Sequence, residues 1–179
     1  MRTGIRVADA GSQATSWAVR RLGATDAAAY HALRLEGFAR HPLQFRVAPE
    51  DESGLSLEAV GTRLQGTFVA GGFDSDGLVG VGGLTRFEGT KLRHRALLWG
   101  MYVRERARGS GLADELMRVL LAEARSHGIE QVILTVAADN NRARRLYERW
   151  GFSIYGIEPR AIKVDHGYLD EALMVCPLQ

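Results

Sequence analysis

The chain of 179 residues is short of cysteine, lysine and long apolar runs, and each shortage removes a class of protein. Its one cysteine, Cys176, excludes an internal disulfide and any multi-cysteine metal centre, which fits a reducing compartment. Cys176 sits in the apolar stretch Ala172 to Cys176 without an activating neighbour, so it reads as a buried structural thiol rather than a nucleophile. No stretch approaches the ~18 apolar residues that span a bilayer. Met1 to Ser16 carries Arg2 and Arg6 but lacks the continuous apolar core of a secretory signal. The expectation is therefore a cytoplasmic protein without a membrane partner.

The charge imbalance is equally slight. A formal net charge of +2 is too small to suggest a nucleic-acid partner, and none is expected. Lysine occurs only at Lys91 and Lys163, so nearly every cation is an arginine, whose planar fork suits phosphate. Across the whole chain this reads as a compositional habit, and only clustered arginines carry weight. The hydrophobic fraction of 46% and charged fraction of 25% are ordinary for a globular protein. The length suits one domain, expected over residues 17–179, behind a small, polar, flexible segment at 1–16.

Patterning orders the elements. Trp17 to Leu22 alternates weakly as a strand, and Thr25-Asp26 caps a helix over Ala27 to Phe38 that His41-Pro42 stops. Val47 to Ser56 reads as polar loop, ahead of a helix over Leu57 to Gln65. Three strands follow at Thr67 to Gly71, Leu78 to Phe87 and Ala96 to Val103, as an antiparallel meander. A helix over Ser110 to Ser126 carries Leu112, Leu116, Leu120 and Ala124 on one face, with Gly128 as its stop. A strand at Gln131 to Ala137, a helix over Asn141 to Trp150 capped by Asn140, and strands at Phe152 to Val164 and Tyr168 to Pro177 complete the chain. The last two flank the turn Asp165-His166-Gly167 as a hairpin.

The stretch from Met101 to Leu112 runs from strand through a basic, glycine-punctuated turn into a helix. That is how chains build anion sites: the first amides of a helix lack internal partners, and Gly109 and Gly111 remove side chains that would hold a phosphate off the backbone. Arg104, Arg106 and Arg108 alternate through the turn, either to reach phosphates or as a solvated basic loop. No Gly-Lys-Ser/Thr ends it, and the third glycine of the dinucleotide fingerprint is absent.

Arg106-Ala107-Arg108-Gly109-Ser110-Gly111 resembles the Arg/Gln-x-x-Gly-x-Gly/Ala signature of the GCN5-related N-acetyltransferase (GNAT) family. Downstream, Asn140 to Phe152 is similar to that family's Asn-x-x-Ala-x-x-Leu-Tyr-x-x-x-Gly-Phe element. The resemblance is strong from Trp99 to Phe152 and implies a single α/β (α+β) domain, a mixed, mainly antiparallel sheet flanked by helices. It also implies acetyl-CoA as co-substrate, transfer of the acetyl group to an amine, and no metal. Met101 and Val103 would then pair through their main chains with the pantetheine arm, with Gly100 at a local bulge. Arg106, Arg108, Gly109, Ser110, Gly111 and Leu112 would cradle the pyrophosphate, and Asn140 would reach the pantetheine region. Asn140 also suits a plain helix cap, and the Leu112 side chain suits the core.

Tyr147 matches the family's tyrosine that protonates the departing thiolate, although Ala143, Leu146, Tyr147 and Trp150 share a helical face and a packing role is open. Several relatives place a Glu on the central strand. Here Ala96 to Val103 contains no carboxylate, which leaves the base among Glu88, His94, Glu158, His166 and Asp170 by type only. Glu158 and Asp170 belong to the closing hairpin, on the acceptor side by resemblance, and Leu35 to Phe45 is expected to help select the acceptor. Phe38 and Phe45 suit the core equally well. The expected partner is an amine-bearing acceptor, with a homodimer as an open option, and the alternative to an enzyme is a non-catalytic acyl-CoA-binding sensor or scaffold.

Overall fold

The computed structural model describes residues 17–178; the segment expected to be flexible, 1–16, lies outside the described residues. Strand β1 (Ala18–Arg21) leads into α1 (Ala27–Arg40), then α2 (Pro49–Ser53) and α3 (Leu57–Gly66). Strands β2 (Phe68–Asp74), β3 (Gly77–Arg86) and β4 (Arg95–Val103) precede α4 (Leu112–Ser126), β5 (Gln131–Ala137) and α5 (Asn141–Arg149). The hairpin β6 (Ser153–Val164) and β7 (Gly167–Pro177) closes the chain. All seven strands form one mixed sheet in the order β1-β2-β3-β4-β5-β7-β6, antiparallel throughout except for β4 beside β5.

Each face of the sheet has its own core, because neighbouring residues of a strand point opposite ways. Val69, Leu78 and Val81 pack with Tyr30, Leu33, Val60 and Leu64 of α1 and α3. Ala70 and Val79 pack with α4, whose Leu112, Leu116, Leu120 and Ala124 are fully buried as their spacing predicts, and α5 lies on this face too. Helix α4 sits close to the sheet because β2 and β3 are paved with glycine there. A β-carbon at Gly72 would lie 2.5 Å from Leu112, and one at Gly82 would lie 2.8 Å from Leu120.

A bulge on β4 shifts the phase of that strand. Gly83 pairs with Trp99 but Val81 pairs with Tyr102, so Gly100 and Met101 together oppose the single residue Gly82. Before the bulge Ala96 and Leu98 face α4; after it Met101 and Val103 do, while Trp99 and Tyr102 face the α1 side. Gly100 takes φ 65, a left-handed value that suits glycine.

The stretch Val47 to Ser56, read as loop, holds α2 instead. Pro49 opens it and Glu50, Asp51 and Glu52 fill its first turn, where acidic groups face the positive helix end. What fixes it is tertiary: Glu52 is buried against Arg34 of α1. Helix α4 starts at Leu112 rather than Ser110, since Gly109 (φ 79) and Gly111 (φ 89) are left-handed. Among the described residues no helix is long and apolar enough to cross a membrane.

Candidate active site

Strands β4 and β5 pair only at Arg95↔Gln131, Ala96↔Val132 and Leu97↔Ile133. Beyond Leu97 they diverge, and the β4 backbone edge that faces β5 is left without a strand partner. The cleft that opens there holds about 690 Å³ and is lined on the β4 side by Leu98 to Val103 and on the β5 side by Thr135 and Val136. Of the residues assigned from resemblance, Met101, Val103, Arg108, Gly109, Gly111, Asn140 and Tyr147 line it, whereas Arg106, Ser110 and Leu112 do not.

One end of the cleft is the turn into α4. No atom lies within 4 Å of a β-carbon built at Gly109 or Gly111, so glycine is needed there for its backbone angle, not for packing. Ser110 Oγ donates to the Ala107 carbonyl at 2.7 Å and accepts from the Leu112 amide at 3.4 Å, which ties the turn to the first amide of the helix. The three alternating arginines go separate ways. Arg106 is bound to Asp74 and Asp76 of the β2–β3 turn, and Arg104 donates to Glu36 at 2.9 Å. Arg108 stays in the cleft, donating through Nε to the Val103 carbonyl at 2.9 Å and through Nη2 to His41 Nε2 at 2.7 Å.

The wall opposite β4 is α5. Asn140 Oδ1 accepts from the Ala143 amide at 3.1 Å, the cap expected of it, and Nδ2 donates to Gln44 Oε1 at 2.9 Å across the mouth of the cleft. Tyr147 is buried beside Phe152, lines the cleft, and its hydroxyl makes no hydrogen bond among the described residues. Burial pushes its phenol well above the ordinary value, so it stays protonated at neutral pH. Asp114, the one carboxylate among the described residues of the lining, is engaged by Arg149 and by Trp150 Nε1.

The remaining wall comes from the end of α1 and the loop behind it: His41, Gln44 and Phe45, facing Trp99 and Tyr102. Phe38 is fully buried beneath, edge-on to Phe45 at 5.1 Å, so Phe38 is core and Phe45 is cleft wall. The candidate bases named by type all lie outside the lining. His94 precedes the closed end of β4, where its carbonyl accepts from Glu130, and Glu88 is in the β3–β4 loop at the same end. His166 sits in the hairpin turn, Asp170 accepts from the Arg160 amide, and Glu158 is paired with Arg46 at 2.9 Å. Arg46 also binds Glu171, a buried carboxylate that sequence reasoning missed. His41, Gln44 and Phe45 fall within the stretch Leu35 to Phe45 that is expected to help select the acceptor, although the sequence singles out His41 only as a helix stop; Trp99 is not singled out at all.

Residues 28–152, which contain the splayed β4–β5 pair and the glycine turn, match the Acetyltransferase (GNAT) family. The chain belongs to that family. As a GNAT chain it has solved structural neighbours of the same fold. A GNAT-family acetyltransferase from Streptococcus pneumoniae superposes with a TM-score of 0.82 at 22% identity, covering 92% of this chain and 100% of that one. The yncA protein of Salmonella typhimurium, solved with its cofactor acetyl-CoA, superposes with a TM-score of 0.78 at 19% identity, covering 92% and 95%. Among curated relatives, a mycothiol acetyltransferase of Streptomyces scabiei is 34% identical over 133 residues, 73% of this chain but 40% of the relative. The chain spans less than half the length of the curated relatives it matches.

The cleft fits acetyl-CoA on this structure's own terms. An extended arm finds an unpaired strand edge, and an anion finds a left-handed glycine turn at the start of a 15-residue helix, beside Arg108.

Proposed function

We propose that this GNAT chain is an acetyl-CoA-dependent N-acetyltransferase that moves the acetyl group to a primary amine by direct transfer within a ternary complex. The observation that carries it is the divergence of β4 from β5 after Leu97, with the glycine turn at one end and an unbonded Tyr147 hydroxyl in the wall. Acetyl-CoA would supply an activated acyl group and a leaving thiolate. The β4 edge at Met101 and Val103 and the amides of Gly109 to Leu112 would hold it, with Asn140 and Arg108 alongside; Arg106, tied to Asp74 and Asp76, contributes to the turn's shape.

Two protons must move. An alkylammonium has to lose one before it can attack, and the thiolate has to gain one as it leaves. Tyr147, buried and protonated, donates the second. His41 takes the first, directly or through water. Arginine is always charged, so Arg108 must be the donor in its contact with His41, and Nε2 carries the lone pair of a neutral ring. When the Arg108 guanidinium turns to phosphate, that lone pair becomes available. The reading requires an amine acceptor, involves neither nucleic acid nor membrane, places the enzyme in the cytoplasm, and leaves a homodimer open.

Release of free thiol from acetyl-CoA across a panel of amines is the direct measurement. Tyr147→Phe should bind acetyl-CoA as tightly as the parent yet turn over about 10²-fold more slowly. Undiminished turnover would remove Tyr147 as the acid. Stabilisation by acetyl-CoA and CoA alike, without thiol release on any amine, would favour the acyl-CoA sensor instead.

A further inference from the structure

The cleft passes through the sheet rather than along one face of it. Neighbouring residues of a strand point to opposite faces, and the lining draws on both. Met101, Val103 and Tyr147 stand on the side of α4 and α5, whereas Phe45, Trp99 and Tyr102 stand on the side of α1. The glycine turn and Tyr147 belong to the first side, so the cofactor occupies that side and the second is left for the acceptor.

What the second side offers is aromatic carbon. Tyr102 directs its hydroxyl to Glu36 at 3.1 Å and Trp99 its Nε1 to Thr85 at 2.8 Å, and neither of those partners lines the cleft. The apolar bodies of the rings are therefore what remains for a ligand. Trp99 is fixed further by β3, because a β-carbon at Gly83 would collide with its six-membered ring and the indole lies across that backbone. Phe45 is half-buried, edge-on to Phe38 at 5.1 Å and to Tyr102 at 6.4 Å. Among the described residues no free charge lines this side. The ionised residues of the lining, Arg108, Asp114, Arg142 and Arg149, all belong to the turn into α4, to α4 or to α5. Charges behind the aromatic wall are paired with one another: Glu36 with Arg104, Arg34 with Glu52, and Arg46 with Glu158 and Glu171. A second charge on an acceptor would leave water here without a partner, which is costly, whereas burying a ring against these rings is favourable.

We propose that Phe45, Trp99 and Tyr102 form the acceptor subsite, and that the acceptor is a monoamine carrying an aromatic group, the aralkyl amine class. This rests on the acetyltransferase reading and narrows its acceptor. The ring of the acceptor lies against the aromatic wall and its nitrogen toward His41, which lines the same side. A polyamine adds a second ammonium and a free amino acid adds a carboxylate, so both are disfavoured.

The test is calorimetric titration of the CoA-loaded protein with 2-phenylethylamine, n-propylamine, 1,4-diaminobutane and L-phenylalanine. The first is expected to bind about tenfold more tightly than each of the others, since n-propylamine lacks the ring and the remaining two carry a second charge. Phe45→Ala and Trp99→Leu should each bring 2-phenylethylamine to within about threefold of n-propylamine while CoA affinity is unchanged, with circular dichroism confirming each fold. Phe45 lies in the loop behind α1, so its variant leaves β4 intact and decides the matter if Trp99→Leu does not fold. Equal or undetectable binding of the four compounds overturns the subsite, as does tighter binding of the diamine or the amino acid. A preference for the ring that survives both variants overturns it too. Thiol release from acetyl-CoA, followed on the same four compounds, separates the subsite from the reading beneath it. Binding in the expected order without release would support the aromatic subsite and remove the transfer reaction, whereas release that is fastest on the diamine or the amino acid would keep the transfer and overturn the aralkyl acceptor.

Discussion

His41 carries the most consequential single charge in the cleft. Burial lowers its pKa first, Arg108 lowers it further, Arg40 and Arg142 act in the same direction, and Glu105 opposes them. The folded protein thus disfavours the imidazolium, while the unfolded chain titrates near the ordinary value of about 6.5. Below that value the unfolded state binds the extra proton more readily, so the contribution of His41 to stability is present above about pH 6.5 and is lost as pH falls through the window beneath it. A ring-proton NMR titration of the free protein should give His41 a midpoint below 6.5, and CoA should move that midpoint upward by drawing Arg108 away. A midpoint at or above 6.5 without CoA would contradict the contact with Arg108. Whether a residue like this is legible depends on where its neighbours come from. Asn140 and the glycines of the α4 turn sit in local patterns, a helix cap and a glycine-punctuated turn, whereas Tyr147 was singled out through resemblance. His41 acquires its contact from Arg108, which lies 67 residues away in the chain.

At the scale of elements, α5 is held by one side chain with two jobs. Asn140 caps the helix and also donates to Gln44, so it joins the wall that carries Tyr147 to the loop that carries His41. The two jobs separate by substitution. Asn140→Ala removes both and should cost about 1 kcal/mol of stability in urea denaturation. Asn140→Ser retains a capping oxygen but cannot reach Gln44, so it should keep most of the stability while raising the acceptor KM. If Ser and Ala are equally destabilising, the cap is not what holds the helix. Element existence was legible wherever a period was long enough, as in α4 and in the meander of β2, β3 and β4. The short α2 was not, because five residues contain too little periodicity and its anchor, Glu52, is a buried acid that no local rule expects. The bulge at Gly100 was suggested by a lone glycine in a strand, but the reversal of side-chain faces beyond it needed the register with β3.

For the whole molecule, the weak seam between β4 and β5 is the central fact. A sheet of seven strands is interrupted after three residue pairs, and past that point the two halves are joined by α4, by Asn140 to Gln44 and by Arg46 to Glu158 and Glu171. No pattern within a segment announces this, because the order that places β7 between β5 and β6 follows from long-range pairing, and it was available beforehand only through resemblance. A ligand that lies along the open β4 edge takes the place of the missing strand and binds the folded state alone. Acetyl-CoA at 100 times its Kd should therefore add about 2.7 kcal/mol of stability. For a chain of this size that corresponds to a rise in Tm of roughly 5–10 °C. Site of action is the stricter criterion. Hydrogen exchange should slow at the amides of Trp99 to Val103 and Gly109 to Leu112, while those of the distant β1–β2 pair change only as far as global stability does. A rise in Tm without local protection along β4 would mean that the cofactor binds elsewhere, and the seam would then be only a feature of the fold.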